Sequence, residues 1–162
     1  MFEHFSNPEY LHVLLNPLPV YGLAVGAFGL LIALISRSRA ARVTALALIL
    51  ISGFSAWPVY HYGEEAYNNV LTLADSDGQK WLAEHQRRGE KLIYFFYAVA
   101  ALSMVTIGAE FKLRRASVPF AVATLILAAA DLGIGGYIAY AGGRIRHKEF
   151  RYEPAPAIQT DS

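Results

Sequence analysis

Four side chains could carry chemistry together: His12, His61, Glu65 and His85. Neutral imidazole is the commonest transition-metal ligand, and a nearby carboxylate can complete a donor set that lacks thiolate. His61 and Glu65 are four residues apart, so on a helix they share a face. If the chain folds back near residue 75, Glu65 lies opposite His85, with Arg88 one turn below it. Facing helices build metal sites from Glu and His in this way. Such donors suit zinc, copper or iron, and two imidazoles opposed across a ring suit a b-type haem. The expected metal ligands are His12, His61, Glu65 and His85, and the expected cofactor-binding histidines are His12, His61, His85 and His147. Gly63, Gly89, Gly142 and Gly143 are expected to make space for a macrocycle. One difficulty is visible at once. The apolar stripe of the first arm is Tyr62, Ala66, Val70 and Leu73, so His61 and Glu65 flank the interface and do not centre on it.

The elements that must position these residues are apolar helices. The chain has 162 residues, 55% hydrophobic, with no cysteine and a net charge of +1. The absence of cysteine excludes disulfides, Cys-based metal sites and covalent haem attachment. Residues 43–60, 92–109, 116–130 and 132–143 contain no charge. A membrane span needs ~20 mostly apolar residues, and four spans fit, at about 17–36, 42–60, 92–110 and 118–141. A water-soluble bundle would show polar outer faces at helical period, and these runs are apolar all round. The expected fold is an all-α integral membrane protein. It is a four-transmembrane-helix bundle whose second and third spans extend into an outer-side helical hairpin over residues 61–90. Residues 1–152 form this single domain, and 153–162 are a flexible tail.

Local signals refine the picture. Asn7-Pro8-Glu9 is a helix start, and Asn16-Pro17-Leu18-Pro19 is expected to end that short segment. Ala74-Asp75-Ser76-Asp77-Gly78 is the turn of the hairpin, with Asp75 or Ser76 capping the returning helix. Gly22, Gly26, Gly29 and Ala33 offer a flat side for close helix packing. Pro58 is expected to kink the second span. The two short connections carry Arg37, Arg39 and Arg42, and Lys112, Arg114 and Arg115. The positive-inside rule puts both in the cytoplasm, which leaves the hairpin and both termini in the periplasm of a bacterial inner membrane. The basic C-terminal stretch with Arg144, Arg146, Lys148 and Arg151 pulls the other way.

Asp131 is the intramembrane polar residue. A carboxylate in a span is costly and faces the bundle interior, on a stripe with Thr124, Ala128, Gly135 and Gly142. No second intramembrane charge offers a relay, so the expected role is interhelical glue, a hydrogen bond to a Ser, Thr or Tyr on another helix. Glu64, Glu84 and Glu90 with Arg87 and Arg88 are read as a solvated charged face. Nothing in the chain forms a nucleophile triad or a phosphate loop, and the basic residues are too scattered for nucleic acid.

Four stretches, LHVLLNPLPVYGL, SAWPVYHYGEEAY, WLAEHQRRGEKL and IAYAGGRIRH, resemble a group of bacterial four-helix inner-membrane proteins classed as a domain of unknown function. The resemblance spans about residues 8–150. In that group the first span opens with His-Pro followed by His-Phe-Pro. Here Val13 follows His12, and Asn16-Pro17 stands in place of the second histidine motif. The resemblance implies four helices and a suspected haem or metal role, with no established activity.

The expected function is a small membrane protein that binds a metal ion or b-type haem at its outer face, in electron transfer or a redox complex. Its partners are the lipid bilayer and other membrane or periplasmic subunits. Two alternatives differ in class: a non-catalytic membrane subunit that anchors or stabilises a larger complex, and a small transporter or proton path through Asp131.

Overall fold

A computed structural model describes residues 6–157. Those residues are all-helical, with no strand among them. Helix α1 spans Pro8–Leu15, α2 Leu23–Ile35, α3 Arg39–Leu73, α4 Ser76–Lys112 and α5 Arg114–Gly143. A π-helical turn, Leu18–Gly22, joins α1 to α2, and a short 3-10 turn, Lys148–Phe150, follows α5. Counting α1 to α2 as one unit, four helices are long and apolar enough to cross a membrane. Their outward surfaces are oily, with Phe28, Ile35, Ile51, Phe54, Met104 and Ile126 all exposed. That is the opposite of a water-soluble bundle.

The first unit differs from expectation. Asn7 caps α1 by accepting from the Tyr10 amide at 3.2 Å, and Pro8 takes the first turn. Asn16 and Pro17 do not end the helix, because both adopt helical backbone angles. Pro17 and Pro19 each lack an amide donor, and the wider π-helical turn absorbs the interrupted ladder. His12 thereby stays in line with the first span.

The α3–α4 connection is as tight as the turn signal suggests. Helix α3 ends at Leu73, and Asp75 caps α4 by accepting from the Gly78 amide at 2.8 Å. Helix α3 passes through Pro58 without a break. Close approach sets the packing. A Cβ on Gly26 would lie 2.7 Å from Ile49 on α3, and one on Gly53 would lie 2.6 Å from the Phe96 carbonyl on α4. Small residues let these backbones meet without a large side chain between them. The pairing of Gly53 with Phe96 matches a fold about residue 75. Leu23, Leu30, Leu46, Ile49, Phe96 and Val99 form the core with Ala121 and Ala128 of α5. Helix α5 contributes a buried stripe of Ser117, Ala121, Thr124, Ala128, Asp131 and Gly135, so Asp131 points inward.

Candidate functional site

Two of the expected histidines meet. His12 on α1 and His85 on α4 lie with ring centres 6.3 Å apart and planes at 84°. Each imidazole is fixed by the same device on a third and a fourth helix. His12 Nδ1 donates to the Val59 carbonyl of α3 at 2.8 Å, and the ring rests on Gly63, one turn further along. His85 Nδ1 donates to the Ile138 carbonyl of α5 at 3.0 Å, and its ring rests on Gly142, again one turn along. A carbonyl can only accept, so Nδ1 must carry the proton in both rings. In a neutral imidazole bonded in this way Nε2 is an available lone pair, the tautomer a metal-ligating histidine needs. A Cβ would come within 2.9 Å of the His12 ring at Gly63 and 3.0 Å of the His85 ring at Gly142. Those two glycines admit the imidazoles themselves, where space for a macrocycle was expected.

Next to His85, the Arg88 guanidinium donates to the Tyr137 carbonyl at 2.7 Å and to Glu84 at 2.7 Å, and lies 3.7 Å over the Tyr137 ring. Arg87 grips the same Glu84 carboxylate at 2.7 and 2.8 Å. Glu84 and Arg88 are about nine-tenths buried, so this part of the charged face is an internal ion pair and not a solvated one. Arg144 is buried beside it, 3.3 Å from the Tyr140 ring centre and 5.3 Å from that of Trp81. Arg144 Nε and Trp81 Nε1 are both buried without a hydrogen-bond acceptor.

The remaining expected ligands lie elsewhere. His61 stacks flat on Trp57, with ring centres 5.8 Å apart, and its Nε2 is 3.4 Å from Glu65. Both side chains are about half exposed. No hydrogen bond or ion pair joins Glu65 to His85. Register is not the cause, because α3 and α4 pair about residue 75. Phase is: in the C-terminal part of α3 the buried positions are Val59 and Ala66, and one residue turns a side chain ~100° around the axis. His61 and Glu65 therefore lie on the flank of α3, about half exposed. His147 is exposed, with Nδ1 2.9 Å from Glu149 and its ring stacked on Phe150. Among the described residues, no three His, Asp or Glu side chains converge as a metal site. His4 lies outside the described residues.

Asp131 is fully buried, and neither carboxylate oxygen has a hydrogen-bond partner. The expected interhelical glue bond is not formed. The polar pair that does lock helices is one that spacing alone did not suggest. Arg42 on α3 donates bidentately to Glu110 on α4, at 2.6 and 3.0 Å, and Glu110 is 1% exposed. Arg39 lies 3.7 Å from the same carboxylate. A signal did exist in the sequence: Glu110 is the lone carboxylate between Glu90 and Asp131, set among basic residues.

The C-terminal segment folds back onto the hairpin turn. Arg151 and Lys148 reach Asp75 at 2.9 and 3.0 Å, and Arg151 also donates to the carbonyls of Arg144 and Ile145. These cations hold the Asp75 carboxyl well below the usual carboxylate range, Arg151 contributing most. No family model, curated protein or solved structure matches the chain.

Proposed function

We propose that this chain is a bacterial inner-membrane protein that binds one b-type haem, which His12 and His85 would hold, and serves electron transfer. The carrying observation is the pair itself. Two imidazoles from different helices have their Nδ1 protons tied to main-chain carbonyls and their ring centres 6.3 Å apart. Two imidazoles bound linearly to one metal through bonds of ~2.0–2.1 Å put their ring centres about 6 Å apart. The separation therefore suits a shared iron. A haem also suits the donor count better than a bare ion. A zinc-like site asks for three or four protein ligands, whereas two imidazoles would suffice to hold a haem. Haem b carries two carboxylates, and Arg144 Nε and Trp81 Nε1 are buried donors without acceptors at the same end of the bundle.

In this reading the helix ends that carry His12 and His85 face the periplasm, with the α3–α4 hairpin standing on the outer side. The support is the positive-inside rule. Arg37, Arg39, Arg42, Lys112, Arg114 and Arg115 cluster at the opposite end against the single carboxylate of Glu110. The basic C-terminal stretch, with Arg144, Arg146, Lys148 and Arg151, counts against this orientation. Haem content of the purified protein tests the reading. We expect one haem per chain in the wild type, its loss in His12→Ala and in His85→Ala, and its retention in His61→Ala and Glu65→Ala. Wild-type protein from haem-replete cells that carries no haem would reject it and leave the histidine pair as a fastener between helices.

A further inference from the structure

A second set of buried polar groups runs along α4 and α5, independent of the histidine pair. Asp131 sits near the middle of α5, 0% exposed, with both oxygens unpartnered. An unpaired carboxylate in a span is expensive, and such residues mark ion paths and proton relays. Its neighbours along the axis are polar too. The Ser103 hydroxyl of α4 is 0% exposed and unpartnered. The hydroxyls of Thr106 on α4 and Thr124 on α5 meet at 3.0 Å, and each also contacts a carbonyl of its own helix, at 2.7 and 2.9 Å. Each hydroxyl has one proton and two places to send it, so the pair can exchange direction by rotation.

Helical rise sets the spacing of the column. Glu110 is one turn, ~6 Å, from Thr106, and Ser103 lies ~4.5 Å beyond Thr106 on the other side. Asp131 is two turns, ~10 Å, from Thr124, on the same face of α5. That leaves roughly 6 Å of axial distance between Ser103 and Asp131, about the span of one bridging water. Ile138, whose carbonyl holds His85, lies two further turns along α5. The buried polar groups thus run from the Glu110–Arg42 pair at the basic end as far as Asp131. Glu110 also supplies the second buried acid that a relay requires.

We propose that Asp131 is the central station of a proton path through this bundle, fed through Thr106, Thr124 and Ser103 from the Glu110 end. Protons are the only species moved, and water fills the gaps between stations. The test is proton flux into phosphatidylethanolamine–phosphatidylglycerol vesicles that hold purified protein and a pH-sensitive dye. A potassium diffusion potential set by valinomycin drives the flux. We expect the wild type to exceed protein-free vesicles by at least about tenfold, Asp131→Asn to fall to the protein-free rate, and Asp131→Glu to recover flux. Asparagine is nearly isosteric, so the variant is expected to fold, and its His12–His85 site is untouched. Wild-type flux equal to that of protein-free vesicles would overturn the proposal. So would Asp131→Asn flux equal to wild type. Haem content is read separately, so a chain without haem that shows Asp131-dependent flux rejects the haem reading alone.

Discussion

Gly63 and Gly142 are the residues on which the histidine pair depends most directly. Each lies one turn beyond the carbonyl that its imidazole bonds, and an added Cβ would press on that ring at 2.9 or 3.0 Å. The neighbouring group is a ring held by a part-buried hydrogen bond to a main-chain carbonyl, which limits its room to yield. Gly63→Ala and Gly142→Ala are each expected to destabilise the fold by about 1–3 kcal/mol, the usual range for overpacking, and to lower haem content. Gly108→Ala and Gly133→Ala meet nothing within 4 Å and serve as controls. Thermal melts in detergent read the difference. Equal melting of all four variants would mean that the rings do not rest on these glycines. At the other end, the Arg42–Glu110 pair is nearly dry. Glu110→Ala leaves a buried guanidinium unpaired and should cost about 3–5 kcal/mol, whereas the double change Arg42→Met with Glu110→Leu should regain much of it. If the double variant is no more stable than the single one, desolvation of the lone charge is not the source of the loss.

Among the elements, the legible parts are those with local causes. The caps at Asn7 and Asp75, the end of α3 at Leu73 and the inward stripe of α5 all follow from residues close in sequence. The fold about residue 75 was legible as well, because a short turn leaves one register. Rotation of each helix about its own axis was not. It depends on which of several apolar faces packs, and in an all-round oily helix the pattern barely distinguishes them. That is why Glu65 looked placed to meet His85, while the true neighbour of His85 came from α1, remote in sequence. The continuation of α1 through Pro17 was missed for a related reason, because a π-helical turn tolerates prolines that would end an α-helix. The C-terminal segment yields a prediction in pH. Arg151 and Lys148 lower the Asp75 pKa below its unfolded value, so their contribution is full above the ordinary aspartate range, near ~4, and fades as pH falls further. Hydrogen exchange of residues 145–152 should therefore be flat from neutral pH to about 5 after correction for intrinsic rates, and rise only below about 4. Arg151→Gln should raise exchange at neutral pH. A segment that loosens already at pH 6 would show that another group governs it.

The whole molecule is a polarised object. Six cations and one carboxylate gather at the Arg42–Glu110 end, while the histidine pair and the acidic hairpin lie at the other. Reporter fusions at Arg39 and Arg114 should report cytoplasm, and a fusion at Asp75 should report periplasm. The reverse pattern would place the proposed haem on the cytoplasmic side. All four apolar units contribute to one site: α1 and α4 supply the imidazoles, and α3 and α5 supply the carbonyls and glycines that aim them. A site assembled from every helix is fixed by the packing of all of them, as the proposed haem role would require. The most direct measurement is electron paramagnetic resonance of the oxidised wild-type protein. A low-spin ferric haem signal with two imidazole ligands is expected, replaced in His85→Ala by a high-spin signal or by none. A wild type without a ferric haem signal, or with a high-spin one that His85→Ala leaves unchanged, would contradict the haem reading.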